Sequence, residues 1–200
     1  IKGDPSDSPL FNIAAQGLYE LGSTFKVFTA AQAFDEDFAL PSTMINTKTP
    51  LILSRKRIND FHYYGPELSL SDVIVKSSNV GTARVALAIG ANSQKRFLQK
   101  LGLLDRTGIE LPEARRALPI VPTRWSALST ATISYGHGIS VSPVHLAAAY
   151  ATLVNGGTRV SPTLIKSNEI KMGEQIVSAE TSAIMRRILR QVVTKGTAKN

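Results

Sequence analysis

The stretch Ser23-Thr24-Phe25-Lys26-Val27-Phe28-Thr29-Ala30-Ala31-Gln32-Ala33-Phe34 constrains this chain more than any other. Phe25, Phe28, Ala31 and Phe34 recur at three-residue spacing, and Val27, Ala30 and Ala33 widen the apolar face. The period predicts a helix, and the breadth of its apolar face predicts a buried one. Two polar residues interrupt the pattern at its start. Ser23 opens the helix and Lys26 follows three residues later, so the two side chains share one face, one turn apart.

A serine hydroxyl is a weak nucleophile at neutral pH and needs a base beside it. A lysine can be that base only if its pKa falls, through desolvation or neighbouring positive charge. Burial against Phe25 and Phe28 would supply the desolvation, and a helix N-terminus favours negative charge developing nearby. Alone, Ser-x-x-Lys is more often a serine cap followed by a surface lysine. Ser77-Ser78-Asn79, fifty-four residues on, changes that weighting. It falls between two predicted helices, where a serine can relay a proton to or from Ser23 and Lys26 and an asparagine amide can hold a substrate carbonyl. By itself Ser-x-Asn is common at caps and turns.

Around these motifs the chain reads as helix-rich with few strands. Short β-prone stretches fall at Met44-Ile45 and Leu51-Ile52-Leu53. Ser69-Leu70-Ser71-Asp72 resembles a capping box opening a helix through Lys76. Helices are expected from Val80 to Ile89 and from Ser93 to Leu101, the second stopped by Gly102. Ser142-Pro143 starts another, to Val154, closed by Asn155-Gly156-Gly157. Pro162 to Val177 reads as a strand pair, and Ser178 caps a last helix to about Val193. The arginines of that helix, Arg186, Arg187 and Arg190, suit the negative pole of its dipole. Ile1 to Pro9 reads as loop.

The two motifs and their flanking residues together resemble a known family. Leu18-Tyr19-Glu20-Leu21-Gly22-Ser23-Thr24-Phe25-Lys26 resembles the nucleophile segment of class B, monofunctional penicillin-binding proteins. Val75-Lys76-Ser77-Ser78-Asn79-Val80-Gly81 resembles their second motif, in its division-type form. Ser134-Tyr135-Gly136-His137-Gly138 resembles the segment between second and third motifs. The resemblance runs from about Leu10 to Asn200. It implies an α+β fold of the penicillin-binding transpeptidase and serine β-lactamase type, with helices around an antiparallel sheet. It also implies that Ser23 is acylated, Lys26 accepts its proton, Ser77 shuttles the proton onward and Asn79 contacts the substrate amide. The reaction implied is D,D-transpeptidation of peptidoglycan stem peptides, with β-lactam antibiotics trapped at the same ester. Neither a cofactor nor a metal is implied.

The third motif of that family, Lys-Thr-Gly, is absent from these 200 residues. Lys195-Gly196-Thr197 has the right residues in the wrong order and is assigned no catalytic role. Residues 1–200 are therefore expected to be one transpeptidase domain lacking its C-terminal strands. The chain opens Ile1-Lys2-Gly3 without an apolar leader, and no apolar run approaches the eighteen or more residues of a membrane helix. The expectation is a periplasmic domain whose inner-membrane anchor lies outside this sequence.

Other features carry less. The formal net charge is +8, but the Lys and Arg residues are dispersed and no aromatic array accompanies them, which speaks against a nucleic-acid partner. Other cell-division proteins are the expected protein partners. His62, His137 and His145 lack metal-ligand spacing or a visible carboxylate partner. Glu110 and Glu113 lie near where a hydrolytic β-lactamase keeps its glutamate, yet without the asparagine that helps hold a water. Trp125 reads as packing, and Lys76 as pointing to solvent. A β-lactamase or β-lactam sensor, and a non-catalytic divisome scaffold or cell-wall-binding module, stand as the competing readings.

Overall fold

The computed structural model describes residues 8–168 and 173–199. Most of the expected Ile1–Pro9 loop and the middle of the Pro162–Val177 strand pair lie outside the described residues. The predicted buried helix is the axis of the fold. It begins as a 3₁₀ turn, Gly22–Phe25, and continues as α2, Lys26–Asp35. The tighter entry differs from the expectation of an α-helix from Ser23 onward. Gly22 takes φ +56° there, and the Lys26 N–H closes back onto the Ser23 carbonyl three residues earlier.

Every residue of α2 from Lys26 to Phe34 is buried. An apolar surface that continuous needs neighbours on several sides, and α2 has them in α3 (Leu70–Val75), α4 (Asn79–Ile89), α5 (Ala91–Lys100), α6 (Ala127–Ser134) and α8 (Ala179–Thr194). α7 (Pro143–Val154) packs on α8 and on the short α1 (Ile13–Gln16). Phe25, Phe28 and Tyr150 interlock edge to face between α7 and α2, with centroids 5.2 and 5.5 Å apart.

The helix starts follow the sequence. Ser69, Ser78, Ser142 and Ser178 each accept a backbone N–H of the following first turn. α6 escaped the sequence reading because Ser and Thr occupy half of it, and such residues compete with the helical backbone. Here Thr130 Oγ1 bonds the Ser126 carbonyl at 3.0 Å and Ser134 Oγ the Ala131 carbonyl at 2.6 Å, so the hydroxyls turn back onto the helix itself.

The β-structure is small and antiparallel. β1 (Met44–Asn46) pairs with β4 (Glu67–Ser69), setting Ile45 opposite Leu68, and β2 (Leu51–Leu53) forms a hairpin with β3 (Lys56–Ile58). β3 and β4 were not anticipated. The fold is thus α+β, helices with small antiparallel sheets, as the sequence implied.

Two expectations are corrected. Residues 161–168 do not form a strand; a single bridge, Thr158 with Gln175, is the β-structure of that region among the described residues. Pro162 has no N–H to give a ladder, and the Leu164 N–H goes to the Glu110 carboxylate instead at 2.9 Å. The α8 arginines also do not serve their own helix end, since its last turn holds no basic residue. Arg186 donates across to the Val154 carbonyl at the end of α7, at 2.9 Å.

Met185 is fully buried in the main core cluster, on α8, whereas Val193 on the same helix is 50% exposed. Chemical denaturation should therefore find Met185→Ala destabilised by about 2–5 kcal/mol, against about 0.5 kcal/mol or less for Val193→Ala.

Candidate active site

The turn bearing Ser23 is held by backbone contacts. A Cβ added to Gly136 would lie 2.1 Å from the Gly22 carbonyl oxygen, so only a glycine at 136 lets the two backbones meet. The Gly22 N–H donates to the Gly136 carbonyl at 3.2 Å, and Tyr19 and Val141 exchange N–H bonds at 3.0 and 3.1 Å just before the turn. From behind, the Tyr150 hydroxyl donates to the Thr24 carbonyl at 2.7 Å; burial pushes this phenol up to about 12, so it stays a donor. Glu20 accepts from the Gly138 N–H at 2.7 Å and meets His137 Nδ1 at 3.1 Å. The segment Ser134–Gly138 is therefore the clamp of the Ser23 turn. Ser23 itself stands exposed at its tip.

Lys26 is 2% exposed, beneath that turn. Its Nζ donates to the Ser77 hydroxyl at 2.7 Å and to the Ser77 carbonyl at 2.5 Å. Desolvation lowers its pKa to about 8, with the charge of Asp60 opposing the shift. About a tenth of such an amine is neutral at pH 7, against a few parts in ten thousand for a free lysine. Lys26 is bonded to Ser77 and not to Ser23. In acyl-transfer sites a general base and its nucleophile often come into contact only when substrate is bound.

Ser77 occupies the left-handed region at φ +59°, a conformation that costs a β-carbon residue about 1–3 kcal/mol and persists only when its surroundings impose it. The Ser77 and Ser78 N–H groups donate to the Ile74 and Val73 carbonyls at 3.1 and 2.8 Å, the left-handed closure of α3 that holds Ser77. Asp60, which the sequence reading missed, binds the residues just after it. Its carboxylate accepts from the Ser78 hydroxyl at 2.7 Å and the Val80 N–H at 2.9 Å, while Ser78 Oγ caps α4 through the Gly81 N–H at 2.9 Å. Asn79 is half-buried, and its Nδ2 donates to the Asn59 carbonyl at 3.0 Å. That bond orients the amide and uses one of the two protons expected to reach a substrate carbonyl. Asn59 and Asp60 follow β3, with no fixed spacing to either motif that could have flagged them. Ser23, Lys26, Ser77 and Asn79 thus come from two helix starts brought together by the packing of α2 on α3 and α4.

The remaining candidates have other work. His137 does have a carboxylate partner, Glu20, contrary to expectation. His145 is buried with its ring bonded to Ser142 Oγ and the Asp105 carbonyl, both at 2.7 Å, and burial lowers its pKa. Among the described residues no group of three His, Cys, Asp or Glu is placed to hold a metal. Glu110 is bonded to Thr163 and Leu164, and Glu113 to Asn12. Trp125 packs on the core and donates to Gln94 at 2.9 Å. Lys76 does not point freely to solvent: its Nζ lies 5.4 Å from the Tyr64 ring centroid.

The family model of the penicillin binding protein transpeptidase domain matches residues 2–200. The chain belongs to that family. It is 35% identical over 196 residues to a probable peptidoglycan D,D-transpeptidase FtsI of Caulobacter vibrioides, covering 97% of this chain and 33% of that protein. The domain also superposes on a solved structure described as a peptidoglycan glycosyltransferase from Burkholderia ambifaria, with TM-score 0.88, 28% identity, and 96% of this chain and 61% of that one covered. A Mycobacterium tuberculosis penicillin binding protein 3 complexed with aztreonam matches with TM-score 0.85 and 28% identity over 96% of this chain and 45% of that one. These relatives agree with the class B, division-type resemblance. The domain spans about a third of the length of the curated relatives it matches.

The Asp60 contacts generate a prediction that needs no substrate. Asp60→Ala should cost about 2 kcal/mol by removing a charged acceptor from two donors. It should also lower the Lys26 pKa below about 8, because the charge that raises it is gone. The ¹³Cε shift of Lys26, titrated from pH 6 to 11 in both proteins, measures this; an unchanged or raised midpoint would break the link between the two residues.

Proposed function

We propose that this domain carries the acyl-transfer site of a peptidoglycan D,D-transpeptidase. The observation that carries the reading is a buried lysine of lowered pKa, bonded to Ser77 and one turn from an exposed serine at a helix start.

The steps follow from those positions. Ser23 Oγ attacks the carbonyl of the peptide bond before the terminal D-alanine of one stem peptide, and its proton passes to the neutral Lys26 amine. The negative charge developing on the carbonyl oxygen lies at the N-terminal end of the 3₁₀ turn and α2, where free N–H groups favour it. Lys26 then returns the proton through Ser77 Oγ to the departing D-alanine nitrogen, leaving an ester on Ser23. An amine from a neighbouring strand attacks the ester, loses its proton along the same route reversed, and takes the acyl group. Asn79, oriented by Asn59, contacts the donor amide. A β-lactam enters by the same first step, and its ring-opened product stays on Ser23.

The structural commitments of Glu110 and Glu113 give no support to a hydrolytic β-lactamase reading. Lys195-Gly196-Thr197 supports no catalytic assignment either. Its glycine packs against the Val75 carbonyl and the Thr197 N–H donates to that same oxygen at 3.3 Å, so the turn braces α3. Residues 1–200 are read as one transpeptidase unit without the Lys-Thr-Gly motif, in a periplasmic protein held at the inner membrane and working with other division proteins. No helix among the described residues is long and apolar enough to cross a membrane.

Incubated with a penicillin, the protein in its full length should gain one covalent adduct, mapped to the peptide bearing Ser23. An adduct on another serine, or none in folded protein, would overturn the reading. Lys26→Ala should acylate at least about a hundredfold more slowly than Lys76→Ala, the usual scale for loss of a general base. Because Lys26 must be neutral to act, the wild-type rate should climb with pH and level off above about 8.

A further inference from the structure

A recess of about 30 Å³ lies between the end of α5 and the first turns of α7, and two arginines line it, Arg106 and Arg159. Each guanidinium is placed by a local contact. Arg106 gives its Nε–H to the Arg115 carbonyl at 2.8 Å, which fixes the plane of the group and leaves both terminal nitrogens unbonded among the described residues. Arg159 follows the bridge between Thr158 and Gln175, and its own N–H donates to the Glu174 carbonyl at 2.8 Å. Its side chain lies over Gly102, where an added Cβ would come 3.3 Å from Arg159 Nη2. Gly102, at φ +79°, thus turns the chain after α5 and leaves the space beside the guanidinium open.

The recess is rich in donors and holds no negative charge. Thr107 and Ser161 also line it, and among the described residues neither hydroxyl nor the Arg159 guanidinium has a hydrogen-bond partner. No carboxylate lines it. The nearby acids are committed elsewhere, Asp105 to Gln99 and Glu110 to Thr163 and Leu164. His145 forms part of the wall, but its ring nitrogens are taken up by Ser142 and the Asp105 carbonyl, and burial lowers its pKa, so it adds no charge. Two guanidinium groups on one recess without a counter-charge are an arrangement that an oxyanion satisfies, because each planar fork matches a pair of oxygens.

We infer that this recess binds a carboxylate carried on a short alkyl stem, as an aspartate or glutamate side chain carries it. Arg106 and Arg159 take the two oxygens, and the Thr107 and Ser161 hydroxyls donate beside them. Size selects the carboxylate. The volume holds about two waters, which two carboxylate oxygens replace and the four oxygens of a phosphate exceed. The rest of the wall selects the stem, since Leu101, Ala148, Val160 and Pro162 offer methyl and methylene groups and no further donor side chain. The inference is independent of the acyl-transfer reading, because none of these residues belongs to the Ser23 site. Exposed pairs of this kind bind weakly, with a dissociation constant on the order of millimolar for a single free carboxylate.

The test is arginine modification by phenylglyoxal in the full-length protein, followed residue by residue by peptide mass spectrometry, with propionate as the ligand and chloride at matched ionic strength as the reference. Because only the free fraction reacts, propionate at about twice its dissociation constant should slow modification of Arg106 and Arg159 about threefold. The exposed Arg124 and Arg190 should keep their rates. In Arg159→Gln, propionate should no longer protect Arg106. Equal slowing at all four arginines, or at none, would overturn the site. Protection of Arg106 that survives Arg159→Gln would overturn the two-armed grip. Inorganic phosphate should protect less than propionate, and stronger protection by phosphate would overturn the carboxylate assignment. Adduct formation at Ser23 is read separately, so either reading can fail without the other.

Discussion

The bond between Lys26 and Ser77 is the contact on which the candidate site depends, because it joins the two helix starts that hold its residues. A lysine at 2% exposure would be a liability unless its amine found acceptors, and both acceptors come from one residue held in a left-handed conformation. The lysine needs Ser77 for its protons, and Ser77 is held by the N–H bonds that close α3, with Asp60 binding the residues after it. Desolvation and a nearby carboxylate act on the amine in opposite directions, and desolvation prevails. The outcome is an amine with a usable neutral fraction near neutral pH, where a fully buried, unpaired lysine would have lost its proton altogether.

Around that contact, rigidity comes from backbone meeting backbone. Gly136 lies against Gly22 with no room for a methyl group, and Tyr19 and Val141 pair across the same junction. Tyr150 braces the Thr24 carbonyl from the core side. Such contacts hold the Ser23 turn more firmly than side-chain pairs at a surface do. Surface charge plays little part in this. Glu20 with His137 is the one salt bridge among the described residues.

Much of this was legible in the sequence. The period of Phe25, Phe28, Ala31 and Phe34 located the central helix, and serine caps at Ser69, Ser142 and Ser178 located three others, because both signals are local. Ser23, Lys26, Ser77 and Asn79 could be proposed together since their spacing matches a known pattern. Asp60 could not, because an aspartate after a short strand has no local signature and acquires its role only when β3 meets the start of α4. α6 was hidden by its Ser and Thr content, and the region after Ser161 was misread because Glu110, some fifty residues earlier, takes the N–H that a strand would have used. His137 looked unpartnered for the same reason: Glu20 lies 117 residues away along the chain.

The sequence by itself determined that α2 would be buried, that Ser23 and Lys26 would share its leading turn, and where most helices begin. These are consequences of side-chain period and capping chemistry within a few residues. Only the tertiary structure decided that Lys26 gives its protons to Ser77 and that Asp60 binds Ser78 and Val80 just after it. Each joins residues far apart in the chain, and the forces responsible, desolvation, charge and hydrogen bonding, act over a few ångströms of space whatever the distance along the sequence.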